Sequence, residues 1–257
     1  MNPFERAQIG STDVFVTRLG LGGAPVGGDQ SADPLYSVAN HHEGVAITNR
    51  AFELGVRYFD TAPSYGTGRR EVRYGAALKG RDRREFIVST KASKVLDLAD
   101  PDVPNPVGPD GLPGLVPRFD MGRDGIRQSH EESLQRLAMD YVDIVFLHDT
   151  SEGELETAVH ESAMPALLEL RDEGVVKAIG VGTKDSSVMT RIIERHPIDI
   201  VLLPEHYSLL SQFALDGLLP LCAENNVSVV VGTPYNSGIL ASDLDGPALF
   251  NYQRAPK

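Results

Sequence analysis

Short apolar runs alternate along this chain with longer stretches whose apolar residues recur every three to four positions. That alternation is the signature of repeated strand–helix units. The runs at Arg18–Leu21, Arg57–Asp60, Phe86–Lys91, Asp143–His148, Lys177–Val181, Asp199–Leu203 and Ser228–Gly232 predict strands. Several are apolar nearly throughout, as parallel strands covered on both faces are. Helical spacing occupies Gly44–Leu54, Gly125–Met139, Glu161–Asp172, Ser186–Arg195 and Ser211–Asn225. Asp124 and Asp185 stand where N-terminal caps belong, and Gly174 where a helix should stop. Ahead of the first strand, residues 7–16 alternate about Gly10-Ser11-Thr12-Asp13 and predict a small hairpin.

Two segments break this rhythm. Asp29–Glu43 is polar and carries His41 and His42, and Leu96–Asp120 holds six prolines. A loop as long as 96–120 inside a compact domain is expected to be a lid or a binding segment. Both segments follow a strand, so in a barrel both rise from the C-terminal face of the strands, where barrel active sites sit. No internal boundary is visible, and residues 1–257 read as one α/β domain, a TIM-type (β/α)₈ barrel. Only seven strands are recognisable. The 25 residues after Gly232 contain Asp243-Leu244-Asp245-Gly246-Pro247 and no convincing strand, so the eighth βα unit is expected to be missing or atypical.

Composition narrows the function. Lys plus Arg number 24 against 36 Asp plus Glu, a net charge of −12, which argues against a nucleic-acid partner. The single cysteine, Cys222, cannot close an intramolecular disulfide and sits on an apolar helical face, as a core residue would. No apolar run approaches the roughly 20 residues of a membrane span. The start Met1-Asn2-Pro3-Phe4-Glu5-Arg6 lacks the layout of a secretory signal. A cytoplasmic protein acting on a small molecule, with no membrane partner, is the expectation; the oligomeric state is left open.

Polar residues at the predicted strand ends carry the chemistry. One strand ends at Asp60 and runs on to Tyr65, the next ends at Lys91, and a third ends at His148 with Asp149 behind it. In a barrel these converge as a proton-transfer set. A free tyrosine has a pKa near 10, and an ammonium within about 4–6 Å lowers it. An aspartate beside the lysine would keep it charged and fixed, and a neutral histidine would orient a substrate oxygen. Each residue alone reads more readily as a solvated charge; four at successive strand ends do not.

Here the sequence resembles the aldo-keto reductase superfamily. The resemblance rests on Arg18-Leu19-Gly20-Leu21-Gly22-Gly23, on Gly55-Val56-Arg57-Tyr58-Phe59-Asp60-Thr61-Ala62-Pro63-Ser64-Tyr65-Gly66 and on Ile87-Val88-Ser89-Thr90-Lys91. It continues through Ser133-Leu134-Gln135-Arg136-Leu137, Asp143-Ile144-Val145-Phe146-Leu147-His148 and Leu170–Gly182. Within the superfamily, Gly23–Gly28, His148-Asp149 and Pro234-Tyr235-Asn236-Ser237-Gly238 look like the branch of D-threo-aldose (L-fucose) 1-dehydrogenases and pyridoxal 4-dehydrogenases. The resemblance implies a catalytic tetrad of Asp60, Tyr65, Lys91 and His148, with Tyr65 as general acid and base. It implies NADP or NAD as cofactor and a sugar or small aldehyde as substrate. Cofactor contacts would come from Gly23, Thr183, Lys184, Tyr207, Pro234, Asn236, Ser237 and Gly238. Three positions depart from the family pattern: Thr183-Lys184 replaces a frequent Ser-Asn, Pro204 a frequent Gln, and Gly232 an aromatic that stacks on the nicotinamide.

Other signals have plainer readings. Gly20-Leu21-Gly22 suggests a dinucleotide fingerprint, but Pro25 occupies its third glycine position. Adjacent His41 and His42 diverge on any regular element, and His196 and His206 flank a strand, where they cap or face solvent. Two functional readings follow. The first is an NAD(P)-dependent oxidoreductase of the aldo-keto type. The second is a catalytically impaired or non-enzymatic barrel, a binding or regulatory protein or a truncated homologue lacking the C-terminal cofactor segment, motivated by the short stretch after Gly232.

Overall fold

In this computed structural model the seven expected strands form one curved parallel sheet. The structure describes residues 2–26, 40–100, 114–243, 249–250 and 253–255. The chain opens with the hairpin of β1 (Arg6–Gln8) and β2 (Phe15–Thr17), paired antiparallel from Arg6↔Thr17 to Gln8↔Phe15. The sheet strands are β3 (Leu21–Gly22), β4 (Tyr58–Asp60), β5 (Ile87–Ala92), β8 (Ile144–His148), β9 (Ala178–Gly182), β10 (Ile200–Pro204) and β11 (Ser228–Gly232). They neighbour one another in that order, with β3 and β11 at the two edges. Helices α1 (His41–Glu53), α2 (Arg69–Leu78), α3 (Arg123–Leu137), α4 (Met164–Asp172), α5 (Ser186–Arg195) and α6 (Leu218–Glu224) connect them.

Period-two alternation divides the strands between two cores. Phe59, Val88, Val145, Leu147, Ile179, Val181, Val201 and Leu203 point outward and bury the apolar faces of the helices. Tyr58, Ile87, Ile144, Phe146, Ala178 and Ile200 point inward, where Ile9, Val14 and Val16 of the hairpin close the floor. The floor is fastened to the last strand as well. Gly10 N donates to Ser228 Oγ at 2.8 Å and Asn226 Nδ2 to Ser11 Oγ at 2.8 Å. Strands β9 and β10 approach so closely that a Cβ at Gly180 would lie 2.0 Å from the Ile200 carbonyl oxygen.

The structure corrects several expectations. Helix α2 was not legible from apolar spacing, because Arg70, Glu71 and Arg73 are charged yet buried. Each has a partner: Glu71 accepts from Thr90 Oγ1 at 2.7 Å and Arg136 Nε at 2.6 Å, while Arg70 and Arg73 donate to the carbonyls of Ala24 and Val26. The segment 96–120 is not a loop throughout. Its flanks form an antiparallel ribbon, β6 (Lys94–Leu98) with β7 (Leu115–Phe119), and residues 101–113 lie outside the described residues. Pro117 sits opposite Leu96 in this two-stranded ribbon, a position that tolerates the missing N–H.

Asp124 does not cap α3; that helix starts after Gly122, whose N–H donates to Asp120 Oδ1 at 3.1 Å. Asp185 does cap α5, accepting from the N–H groups of Ser187 and Val188. Before α4 the chain runs through a π-helical stretch, Leu155–Ala163, and before α6 through a 3₁₀ turn, Phe213–Asp216, so both helices are shorter than expected. Of the polar segment 29–43, residues 29–39 lie outside the described residues, and His41 and His42 open α1 behind the capping residue Asn40. His196 caps the end of α5 and stacks on His160, ring centroids 5.1 Å apart, while Cys222 is buried. Among the described residues no eighth parallel strand follows β11; β12 (Leu249–Phe250) and β13 (Gln253–Arg254) form a small antiparallel pair. No described helix is long and apolar enough to cross a membrane.

Candidate active site

Three of the four candidate catalytic residues owe their place to strand alternation. Asp60, Lys91 and His148 each stand two positions beyond an inward-facing residue (Tyr58, Ser89 and Phe146), so all three project into the C-terminal mouth of the barrel. Tyr65 reaches the same space from the turn after β4, where Tyr65 N donates to the Ala62 carbonyl at 3.1 Å. The structure therefore brings the four together about one cavity of about 450 Å³.

Lys91 is the hub. Its Nζ donates to Asp60 Oδ2 at 2.7 Å and to the Thr61 carbonyl at 2.8 Å, and its side chain is only 1% exposed. Ser89 Oγ donates to Asp60 Oδ1 at 2.7 Å, so both carboxylate oxygens are engaged. The Lys91 Nζ lies 4.6 Å from the centre of the Tyr65 ring. The Tyr65 and His148 rings meet edge to face at 5.8 Å. Burial works against the Lys91 ammonium, but Asp60 and Tyr65 outweigh it and hold its pKa above the ordinary value.

For Tyr65 the direction expected from the sequence is reversed. Burial raises the phenol, Lys91 pulls it down, and the balance is upward, because Asp60 and Asp149 add to the burial. Tyr65 is thus a protonated phenol at neutral pH. Burial also pushes His148 well below its usual range, with Asp149 offsetting only part of that, so the imidazole is neutral.

Residues of the expected cofactor contacts divide into two sets. Thr183, Lys184 and Pro234 line the cavity together with Gly182, Pro204 and Gly232. Thr183 Oγ1 is turned to the Thr150 carbonyl at 2.9 Å. Gly23, Tyr207, Asn236, Ser237 and Gly238 do not line it. The Gly23 N–H is taken by the Asp60 carbonyl at 2.6 Å, and Tyr207 is 39% exposed. Asn236 is buried, donating to the Glu205 carbonyl at 3.2 Å and accepting from Ser208 Oγ, while Ser237 Oγ donates to Glu205 Oε1 at 2.9 Å. Those side chains fix the loop. Successive left-handed conformations at Asn236, Ser237 and Gly238 (φ 47°, 64° and 98°) turn the backbone back on itself.

A model of the aldo/keto reductase family matches residues 18–257. The chain belongs to that family. A D-threo-aldose 1-dehydrogenase from a Pseudomonas species is 39% identical over 88% of this chain and 68% of its own length. A pyridoxal 4-dehydrogenase from Microbacterium luteolum is 32% identical, covering 98% of this chain and 77% of its own. Among solved structures, the holo form of the aldo-keto reductase AKR11C1 from Bacillus halodurans superposes with a TM-score of 0.77 at 27% identity. That superposition covers 97% of this chain and 73% of the other. The family makes the chain an oxidoreductase, and its seven described parallel strands follow the (β/α)₈ barrel of that family.

Aldo/keto reductases use a nicotinamide dinucleotide, and the cavity fits its reactive end. A Cβ added at Gly22 would meet nothing within 4 Å, so the cavity lining is open at that position. Sequence reasoning missed three partners: Ser89 under Asp60, Glu205 behind the 236–238 loop, and Lys94 on Asp149. Ser89 had a legible signal, since it shares the inward face of its strand with Lys91. Glu205 and Lys94 had none, because both act across long sequence separations.

Proposed function

We propose that this chain is an NAD(P)-dependent oxidoreductase that interconverts a carbonyl and a hydroxyl group on an aldose or small aldehyde. Tyr65 would serve as general acid and base. The observation that carries this reading is the Lys91–Asp60 pair at 2.7 Å set against the Tyr65 ring, with neutral His148 across the same cavity. The names of the aldose and pyridoxal dehydrogenases to which the chain is similar support the substrate class.

A bound nicotinamide would supply or accept the hydride. The protein handles the proton. In reduction, His148 orients the carbonyl oxygen toward the cavity wall and Tyr65, protonated at neutral pH, donates its proton to that oxygen. The phenolate left behind is stabilised by the Lys91 ammonium, whose charge and place are fixed by Asp60. In oxidation the same phenolate removes the hydroxyl proton, and a pyranose would leave as its lactone. Thr183, Lys184 and Pro234, with the open lining at Gly22, would hold the nicotinamide end. Gly23, Tyr207, Asn236, Ser237 and Gly238 would act through backbone position rather than through side-chain contact.

Titration of the chain with NADH and NADPH, followed by the fluorescence of the reduced nicotinamide, tests the reading. Saturable binding of either, together with turnover on a panel of aldoses and aromatic aldehydes, is the expected result. No saturation at millimolar nucleotide would overturn it.

A further inference from the structure

Asp149 is placed as no ordinary surface carboxylate is. It adopts a left-handed backbone conformation, φ 51°, which an aspartate reaches at some cost in strain, and its N–H is tied to the Gly182 carbonyl at 3.0 Å. The side chain is anchored from one side only. Lys94 Nζ donates to Oδ2 at 2.6 Å, and that lysine is itself held, 10% exposed, 4.8 Å from the centre of the Phe119 ring. The other oxygen, Oδ1, lies 3.4 Å from His148 Nε2, and the carboxylate lines the cavity with 44% of its side chain exposed. Burial opposes its charge, yet the ammonium groups of Lys94 and Lys91 help to keep its pKa below the usual carboxylate value. An ionised carboxylate is an acceptor with about four lone-pair sites and no donor. Lys94 takes one oxygen and leaves the other offered to the cavity, beside the imidazole that would hold the reacting carbonyl.

We propose that Asp149, clamped by Lys94, is the specificity residue of this site, accepting hydrogen bonds from a hydroxyl on the carbon next to the reacting one. The inference rests on the reading of Tyr65 and His148 given above and deepens it. It selects neutral, hydroxyl-bearing substrates. A plain aliphatic aldehyde leaves the acceptor unmatched, and a substrate carrying its own carboxylate meets a like charge. A hydrogen bond to a charged group contributes about 1.5–3 kcal/mol, roughly ten- to a hundredfold in preference.

The contrast between glyceraldehyde and propanal, equal in chain length and different in hydroxyls, reads this directly. For the wild-type chain with its preferred reduced nucleotide, kcat/KM for glyceraldehyde should exceed that for propanal at least tenfold. Asp149→Gly, which suits the left-handed backbone and removes the carboxylate, should bring the ratio to within about threefold of unity. Asp149→Asn should move it only part of the way, since Lys94 holds the amide oxygen and the N–H₂ turned to the cavity still donates to the hydroxyl oxygen, but without the charge. A residue acting only through His148 would lower both substrates alike and leave the ratio unchanged, which would overturn the proposal. Binding is read separately by saturation-transfer NMR with erythritol against butan-1-ol. Erythritol should bind the wild type and not Asp149→Gly; no binding to the wild type, or equal binding to both, overturns the proposal. If erythritol binds through Asp149 while no carbonyl is turned over, the oxidoreductase reading falls and this one stands.

Discussion

Lys91 reaches Asp60 at 2.7 Å while its ammonium lies 4.6 Å from the centre of the Tyr65 ring, so one buried cation serves a carboxylate and a phenol at once. Asp60 holds the charge in place, and Tyr65 receives its influence. The consequences for proton transfer can be separated by substitution.

Tyr65→Phe keeps the ring and its contact with His148 but removes the transferable proton. Turnover should fall by about 10²–10⁴-fold, the usual contribution of a positioned acid or base. The dissociation constant for the reduced nucleotide should change less than threefold. Retained turnover would remove Tyr65 from its role.

The pH dependence follows from the upward shift at Tyr65. Reduction needs the phenol, so its kcat/KM should be level through neutral pH and decline only on the alkaline side. Oxidation needs the phenolate, so it should climb with pH over the same range. Lys91→Met removes the influence that pulls the phenol down. Both alkaline limbs should then move to higher pH; a limb that stays or moves down contradicts the assignment of Lys91.

His130, buried in α3, predicts acid lability. Burial and then Arg127 lower its pKa from 6.5 to about 4. Between those values the unfolded chain binds a proton that the folded chain refuses. Stability is therefore full above about pH 6.5 and is lost as pH falls toward 4, by at most about 3 kcal/mol from this residue. The neutral His148 pushes in the same direction. His130→Gln should make the acid limb of Tm against pH shallower while leaving its neutral plateau in place.

Gly180→Ala tests the closeness of β9 and β10. The new methyl would lie 2.0 Å from the Ile200 oxygen and 2.8 Å from its Cγ2, so the strands would have to shift to admit it. Overpacking of this kind costs about 1–3 kcal/mol. A urea midpoint equal to that of the wild type would show that the strands part more readily than their packing implies.

The central strands were legible because they are covered on both faces, which makes apolar runs such as Ile144–Leu147 stand out from the polar turns around them. Helix α2 was not, since Arg70, Glu71 and Arg73 look solvent-facing until Thr90, Arg136 and the Ala24 and Val26 carbonyls are brought against them. Proline content likewise hid the β6–β7 ribbon. The four candidate catalytic residues were legible as polar endings to apolar strands and through the family resemblance. What the sequence could not convey was balance. That burial outweighs Lys91 at Tyr65, and that Asn236 and Ser237 face Glu205 rather than the cavity, depends on three-dimensional surroundings.

The hairpin beneath the barrel has a mechanical meaning. It runs directly into β3, the first stave of the arc, and its turn is hooked to β11, the last, through Gly10–Ser228 and Ser11–Asn226. The two edge strands of the described sheet are thus fastened to one another through the hairpin. At their other ends Gly22 and Gly232 line the cavity that gathers Asp60, Tyr65, Lys91 and His148. The turn that ties the first strand of the sheet to the last therefore sits at the opposite end of the strands from the candidate reacting groups.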